Sequence, residues 1–173
     1  LMEDEFKFNW NYLGDVKLGR ENLGENMPVF VYRLFEYTMR ESISNKFGNE
    51  ASVELLRDAG KIAGANLYKH FLSDIKDESE CLAAFQKLLA DTKIGILRVE
   101  SIDDDGRIVV TVSEDLDCSG LPVTGETVCF YDEGFIAGVL SGLYKKEYTA
   151  EEIDCWAKVD RVCRFVAKVK DPE

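Results

Sequence analysis

Histidine is nearly absent from the 173-residue chain, which contains only His70. A cysteine nucleophile is usually activated by a base such as histidine, and a single distant imidazole does not supply one. The chain also lacks a Gly-x-Gly-x-x-Gly sequence after a strand and a phosphate-binding P-loop. The sequence therefore gives little support to an enzyme.

Long hydrophobic runs and an excess of basic residues are also missing. No apolar run approaches the roughly 18 residues of a membrane-spanning helix, and no basic segment followed by an apolar one opens the chain as in a secretory signal. Acidic residues outnumber basic ones 33 to 21, which gives a net charge of −12. The phosphates of nucleic acids and anionic membranes would repel this charge. We therefore expect a cytoplasmic protein with no nucleic-acid or membrane partner.

The length and composition are typical of one domain. Of the 173 residues, 46% are hydrophobic, and neither a low-complexity tract nor an internal repeat divides them. The alternation of Phe6, Phe8 and Trp10 is typical of a strand or an extended arm. We therefore predict an N-terminal strand or arm and loop over residues 1–27, followed by a single domain over residues 28–173.

The spacing of apolar residues predicts three helices in the first half. Pro28 suits the first turn of the first helix, and Gly48 suits its end. Asn49 is predicted to cap the second helix. The third helix opens with the acids of "DESE" and ends near Gly95. One face of the first helix carries regularly spaced apolar residues, namely Val31, Leu34, Phe35 and Met39.

Glycines at helical spacing predict a close contact between backbones. Gly60 and Gly64 lie four residues apart on the second helix. A later segment, "TGETVCFYDEGFIAGVLSGLYKK", is also predicted to be helical. Its small-residue face consists of Phe130, Gly134, Ala137, Gly138 and Ser141. Since glycine has no side chain, such faces let another backbone come close, either within the chain or in a symmetry mate.

Strand patterns appear in the second half. Two β-rich runs flank "DDDG", which is typical of a hairpin. Two further runs at the C-terminal end are joined by a turn near residues 158–160, and the glycine-rich helix lies between the two pairs. This order predicts an α+β fold with about four mostly antiparallel strands covered by helices.

The five cysteines are the main chemical feature. Disulfides are rare in a reducing compartment, where clustered cysteines are more often metal ligands or catalytic groups. Buried core packing is the other interpretation, because cysteine is among the most buried residue types. Cys155 and Cys163 lie in the acid-rich segment "EEIDCWAKVDRVCRF", and Cys129 lies upstream. If these three thiols bind zinc, a carboxylate or Cys118 must complete the four ligands.

The identity of that carboxylate depends on the strand geometry. On a regular strand, Glu151 shares a face with Cys155. A turn or bulge at Ile153–Asp154 would instead bring Glu152 beside Cys155. The residue pattern alone leaves both alternatives open.

The C-terminal half resembles the 4-vinyl reductase domain family. The resemblance is carried by "CSGLPVTGETVCFYDEGFIAGVLSGL" and "EEIDCWAKVDRVCRFVAKV". The family pattern has a Cys before a short loop, a Gly-x-x-x-Cys opening a helix with spaced glycines, an acid-x-x-Cys run, and Asp-x-x-Cys-x-Phe on the last strand. The matching residues are Cys118, Gly125, Cys129, Gly134, Gly138, Glu152, Cys155, Asp160, Cys163 and Phe165. The family is related to transport-particle tethering subunits and to bacterial phenol-sensor domains, so the resemblance implies their fold.

The resemblance also implies a metal site. In the phenol sensors a zinc is held by a Cys, a Glu and two more Cys, at successive separations that recur here as 23, 3 and 8 residues. The implied ligands of a structural zinc are Cys129, Glu152, Cys155 and Cys163, with Glu151 and Cys118 in reserve. Because four protein ligands leave no open position, such a site would stabilise the fold and would not catalyse a reaction.

The implied function is a sensor that binds a small apolar or aromatic, hydrocarbon-like molecule. Ile108, Val110 and Phe135 are its candidate pocket residues. Ile108 stands where the phenol sensors carry a Trp, and their His has no counterpart here, which favours a ligand less polar than phenol. The alternative is a protein-interaction module without a ligand, forming a homodimer as in the tethering relatives. Reduction of a tetrapyrrole vinyl group has less support. In either role, a separate effector protein would receive the signal.

Overall fold

Helices dominate the first half of the chain in the computed structural model, which describes residues 6–170. A 3-10 turn at Trp10–Leu13 follows residues 6–9, which have no regular secondary structure. The α-helices here are α1 (Val16–Gly19), α2 (Val29–Phe47), α3 (Asn49–Leu67) and α4 (Glu78–Asp91), and a π-helical turn, Tyr68–Leu72, extends α3. Within these residues, no helix is long and apolar enough to cross a bilayer. The division at residue 27 stays a prediction.

Gly48 joins α2 to α3. Its φ of +92° lies in the region that only glycine adopts without strain. Its N–H donates to the Ser44 carbonyl (2.8 Å), and its own carbonyl accepts from the Ser52 N–H (3.1 Å). The same residue therefore ends one helix and caps the next. The prediction of Asn49 as the N-cap was wrong by one residue, because Asn49 is already the first residue of α3.

The second half forms one antiparallel sheet around a crossover helix. Its strands are β1 (Ile96–Ile102), β2 (Ile108–Ser113), β3 (Tyr148–Asp154) and β4 (Cys163–Val169), in the spatial order β1-β2-β4-β3. Helix α5 (Phe130–Tyr144) connects the two hairpin-like pairs. Each neighbouring pair is antiparallel. The predicted α+β fold, with four strands and covering helices, is confirmed.

Backbone contact between α3 and α5 sets the position of α5 on the sheet. A Cβ added at Gly60 would lie 1.9 Å from the Tyr131 carbonyl oxygen, and one at Gly64 would lie 2.1 Å from that of Phe135. Gly134 is equally restricted, since its added Cβ would lie 1.9 Å from a carbonyl oxygen of α3. The predicted close approach is confirmed, and it occurs within the chain.

Helix α2 turns its apolar face outward. Phe30, Leu34 and Phe35 are each more than 60% exposed, and Val31 and Met39 are also exposed. The opposite face is polar and points at the loop that follows β2. Its side chains, which contact or approach that loop, are Tyr32, Arg33, Glu36 and Tyr37. An amphipathic helix in this orientation leaves an apolar surface without a partner in the chain.

Candidate functional site

Four thiols and one carboxylate meet beside the start of α5. The Sγ atoms of the cysteines and one oxygen of the glutamate all lie within 4.8 Å of one another, and all five residues are buried. They are Cys118, Cys129, Glu152, Cys155 and Cys163. All four cysteines are free thiols. The structure thus brings together the four residues predicted as zinc ligands and the reserve residue Cys118.

Separate elements deliver these groups. Cys129 is the N-cap residue of α5, and Cys163 is the first residue of β4. Glu152 lies on β3, and Cys155 directly follows that strand. Cys118 lies in the loop after β2. A cation bound here would connect the sheet, its crossover helix and two loops.

A bulge in β3 selects Glu152 in place of Glu151. The pairing of β3 with β4 shifts register between Glu152 and Asp154. As a result, Glu152 is buried and close to Cys155, although strict alternation would put them on opposite faces. Glu151 is exposed. Of the two alternatives left open by the sequence, the structure shows the bulged one.

One oxygen of Glu152 is fixed and the other has no partner. Oε2 accepts the backbone N–H groups of Val128 (3.2 Å) and Cys129 (3.1 Å), where α5 begins. Oε1 is buried without a hydrogen-bond partner. Burial, followed by the nearby Cys155 thiolate, raises the pKa of Glu152 to about 8. A cation at Oε1 would satisfy this oxygen and favour the ionised carboxylate.

The sulfur spacing fits a tetrahedral ion with three of the four thiols. Zinc–sulfur bonds of about 2.3 Å place two sulfurs about 3.8 Å apart in a tetrahedron. The Sγ of Cys129 lies 4.0 Å from that of Cys155 and 3.9 Å from that of Cys163. The Cys118 Sγ lies only 3.1 Å from that of Cys163, too short for two ligands of one ion. This spacing favours Cys118 as a hydrogen-bonding neighbour of Cys163.

The thiols perturb one another in the absence of a positive charge. Hydrogen bonds from the surrounding thiols, that of Cys118 first, hold the pKa of Cys155 well below its usual range. Contacts with the same thiols raise the pKa of Cys129 and of Cys163. The cluster therefore holds one thiolate readily and resists a second. A divalent cation reverses this preference, because it binds thiolates and releases their protons.

A short turn fixes Cys155. Its N–H donates to Oδ2 of Asp160 (3.2 Å), and its carbonyl accepts the N–H groups of Lys158 (2.9 Å) and Asp160 (3.2 Å). Val159, inside this turn, has a φ of +87°, which is strained for a β-branched residue. The turn thus holds the Cys155 sulfur toward the cluster.

The single histidine lies elsewhere. His70 is on the π-helical turn after α3, where its ring stacks on Trp10 with 4.1 Å between ring centroids. It is exposed and is not among the clustered donors. The donor set therefore consists of sulfur and carboxylate.

Two residues that support the site were missed by the sequence analysis. Glu133 is buried in the first turn of α5, and its Oε1 accepts the backbone N–H of Glu152 (2.8 Å). Its Oε2 accepts from Arg57 Nε on α3. This chain of contacts links α3, α5 and β3 beside the cluster. The only signal in the sequence is the acid pair Asp132–Glu133 shortly after Cys129.

A second buried group was also missed. Four carboxyl groups, from Glu36, Asp115, Asp117 and Asp132, lie between α2, the loop after β2 and the start of α5. Burial is the main cause that raises the pKa of each, to about 8 for Glu36 and about 7 for Asp117. Two of these acids precede Cys118 in the sequence "EDLDCSG", and that spacing is their only sequence signal.

A small cavity adjoins these acids. Its volume is about 140 Å³, and its lining comprises Tyr32, Ile94, Leu116, Asp117, Tyr131, Asp132 and Phe135. Of the predicted pocket residues, Phe135 lines this cavity. Ile108 and Val110 lie in the packed core, with 0% and 2% of their surfaces exposed.

The family comparison identifies the C-terminal segment. Residues 108–169 match the family model of the 4-vinyl reductase domain. This match confirms the resemblance described above, and residues 108–169 are a 4-vinyl reductase domain, called the reductase-family segment below. The segment includes β2, α5, β3 and β4, together with all five clustered donors.

Two uncharacterized proteins of Methanocaldococcus jannaschii are similar to the chain. One is 30% identical over 108 residues, which cover 62% of this chain and 62% of the relative. The other is 28% identical over 153 residues, which cover 87% of this chain and 83% of the relative. The chain thus matches less than two thirds of the length of the first relative.

Three solved structures share the fold. A vinyl-4-reductase family protein from Methanocaldococcus jannaschii is 17% identical, with a TM-score of 0.64, over 96% of this chain and all of that one. The phenol-responsive sensory domain of the transcription activator PoxR, solved with phenol, is 16% identical, with a TM-score of 0.63 and coverage of 85% and 78%. A trafficking protein particle complex subunit 3 from Naegleria fowleri, covalently bound to palmitic acid, is 13% identical, with a TM-score of 0.60 and coverage of 83% and 95%.

Proposed function

We propose that this chain is a small-molecule sensor domain that binds a small apolar or aromatic ligand and is stabilised by a structural zinc ion. The observation that carries the ligand proposal is the cavity of about 140 Å³ beside α5. Aromatic side chains from α2 and α5, namely Tyr32, Tyr131 and Phe135, form much of its wall. An apolar cavity of about 150 Å³ is large enough for benzene, so the ligand is a molecule of about this size.

The zinc ligands in this proposal are Cys129, Glu152, Cys155 and Cys163. Their burial, the sulfur spacing and the unpartnered Glu152 Oε1 support the assignment. Cys129 caps the helix that carries two of the cavity's aromatic rings. The ion would therefore hold one wall of the cavity in place. The structural similarity to a phenol-responsive domain supports the same function.

Ligand binding is tested with benzene and phenol. We expect benzene at ten times its Kd to stabilise the protein by about 1.4 kcal/mol, which corresponds to a rise in Tm of roughly 3–6 °C. Phenol should bind more weakly, because the cavity wall is mainly apolar. Differential scanning calorimetry measures the shift, and native mass spectrometry of the purified protein reveals a ligand acquired in the cell.

A matched pair of variants locates the binding. Ile94→Phe enlarges a side chain of the cavity wall and should abolish the benzene shift. Phe71→Trp enlarges a half-exposed residue outside the wall and should leave the shift intact. Absence of any shift in the wild type, together with no ligand in the mass spectrum, would exclude the sensor proposal.

We also propose that two copies associate through α2, the tethering-like alternative. The exposed apolar face of this helix includes Phe30, Leu34 and Phe35. A continuous apolar face on one helix is costly in water and is self-complementary in a twofold contact. Size-exclusion chromatography with light scattering should give a dimer for the wild type and a monomer for Leu34→Glu. Ile153→Glu, at a partly exposed position on β3, should remain dimeric, and a monomeric wild type would exclude this interface.

A further inference from the structure

We propose that Glu36, Asp115, Asp117 and Asp132 bind a second cation, a hard divalent ion held by carboxylate oxygens, beside the thiol cluster. This site is separate from the zinc ligands and does not depend on a sensor ligand. The four residues come from α2, from the loop after β2 and from the first turn of α5. Their positions in three elements place the ion where α2 meets the reductase-family segment.

The charge of the four side chains is not balanced by the protein. Asp115 and Asp117 are 2% exposed, and Glu36 and Asp132 are 9% exposed. Among residues 6–170, no lysine or arginine forms an ion pair with any of them. The nearby Arg33 donates instead to the backbone carbonyls of Leu116 (2.7 Å) and Ser119 (2.9 Å). Buried carboxylates of this kind require protons or a cation.

Unpartnered oxygens distinguish these acids from other buried groups. In the described part of the chain, four buried side-chain oxygens have no hydrogen-bond partner. One is Oε1 of Glu152 in the thiol cluster, and the other three are Glu36 Oε2, Asp115 Oδ2 and Asp117 Oδ2. Each of these four oxygens thus belongs either to the proposed zinc site or to this cluster. A second ion would satisfy the three that zinc does not reach.

The protein holds one oxygen of two carboxylates and leaves the other free. Asp117 Oδ1 accepts from the Tyr32 hydroxyl (3.0 Å), and Asp115 Oδ1 accepts the Asp117 N–H (2.8 Å). In both cases Oδ2 stays without a partner. Glu152 shows the same arrangement, with Oε2 fixed by backbone donors. Such orientation by neighbouring hydrogen bonds is typical of metal-binding carboxylates.

The carboxyl groups are close enough to share one ion. Asp132 contacts both Asp115 and Asp117, and Glu36 contacts Asp117. Oxygens of Asp115 and Asp132 and the Cys129 Sγ lie within 4.8 Å of one another. Carboxylate oxygens are the preferred ligands of Mg²⁺, Mn²⁺ and Ca²⁺, whereas thiolates prefer zinc. The two adjacent donor sets therefore select different metals.

The test measures both metals in the same protein. Inductively coupled plasma mass spectrometry gives the metals in the purified protein, and a Mn²⁺ titration follows the loss of the paramagnetic resonance signal of free Mn²⁺. We expect about one zinc per chain, plus either one hard divalent ion already bound or one Mn²⁺ taken up. Asp132→Asn and Asp117→Asn should lose the second ion and keep the zinc. Glu126→Gln, which removes an exposed carboxylate from the loop before α5, should keep both.

Zinc content reports the fold of each variant, because the zinc ligands come from α5, β3, β4 and their loops. If an aspartate variant loses both metals, Glu36→Gln decides, since Glu36 lies on α2 outside the reductase-family segment. It should keep zinc and lose Mn²⁺ uptake. A wild type that neither contains a hard divalent ion nor takes up millimolar Mn²⁺ would show that protons alone neutralise the acids. Uptake by Asp132→Asn and Glu36→Gln equal to that of the wild type would also overturn the second site. Absence of zinc with Mn²⁺ uptake intact would contradict the zinc site alone.

Discussion

Cys155→Ala should remove the zinc and lower the Tm by roughly 10–20 °C. Structural zinc contributes directly to folding free energy, and a loss of about 5 kcal/mol in a protein of this size corresponds to that change. The expected loss is large because the ion would join α5 to β3, β4 and their loops, all of which supply donors. Elemental analysis and thermal unfolding, with and without a chelator, measure both effects.

Cys81 provides the matched control. It is the one cysteine outside the cluster, is 1% exposed and lies on α4. Cys81→Ala should therefore cost some packing energy and leave the zinc content at one per chain. Cys118→Ser should also retain the ion, since the 3.1 Å sulfur contact places Cys118 outside the tetrahedron. If Cys155→Ala and Cys163→Ala change neither metal content nor folding, the four thiols are core residues.

Gly64→Ala should destabilise the protein by at least about 3 kcal/mol, at the upper end of the usual cost of overpacking. The new Cβ would lie 2.1 Å from the Phe135 carbonyl oxygen. That obstacle is backbone, so no side-chain rotation can relieve it, and α3 and α5 must separate. Urea denaturation measures the difference in unfolding free energy. The separation would also displace Phe135, so the benzene shift should decrease in the same variant.

Gly19→Ala is the control for this substitution. Its added Cβ would have no heavy atom within 4 Å, and α1 is short and exposed. We expect a change within about 0.5 kcal/mol, as for most surface positions. Equal stabilities of the two alanine variants would show that the helix contact tolerates expansion.

Residue patterns predicted most elements of this fold. The periods of 2 and 3.6 located four strands and the long helices, and the spaced glycines located the α3–α5 contact. They did not predict the orientation of α2. An amphipathic pattern separates two faces, but it does not determine which face meets the rest of the chain. In α2 the inward face is polar because Arg33 and Tyr37 donate hydrogen bonds to the loop after β2.

The candidate metal site was only partly predictable for a similar reason. Three cysteines were evident as possible ligands, but the choice between Glu151 and Glu152 depended on a bulge. A bulge results from strand pairing, which alternation within one strand does not reveal. The acid cluster was harder to find, because Glu36 is distant in sequence from Asp115 and Asp132. Tertiary packing alone brings these residues together.

The distribution of the clustered donors has a consequence for biosynthesis. They lie in the loop after β2, at the start of α5, on β3, after β3 and at the start of β4. A growing chain on the ribosome cannot complete the set until Cys163 has left the exit tunnel. Until then its earlier thiols remain reactive and unpaired, open to oxidation or to capture of the wrong ion. Metal loading is therefore a late step of maturation, and the supply of free zinc at that moment governs the yield of native protein.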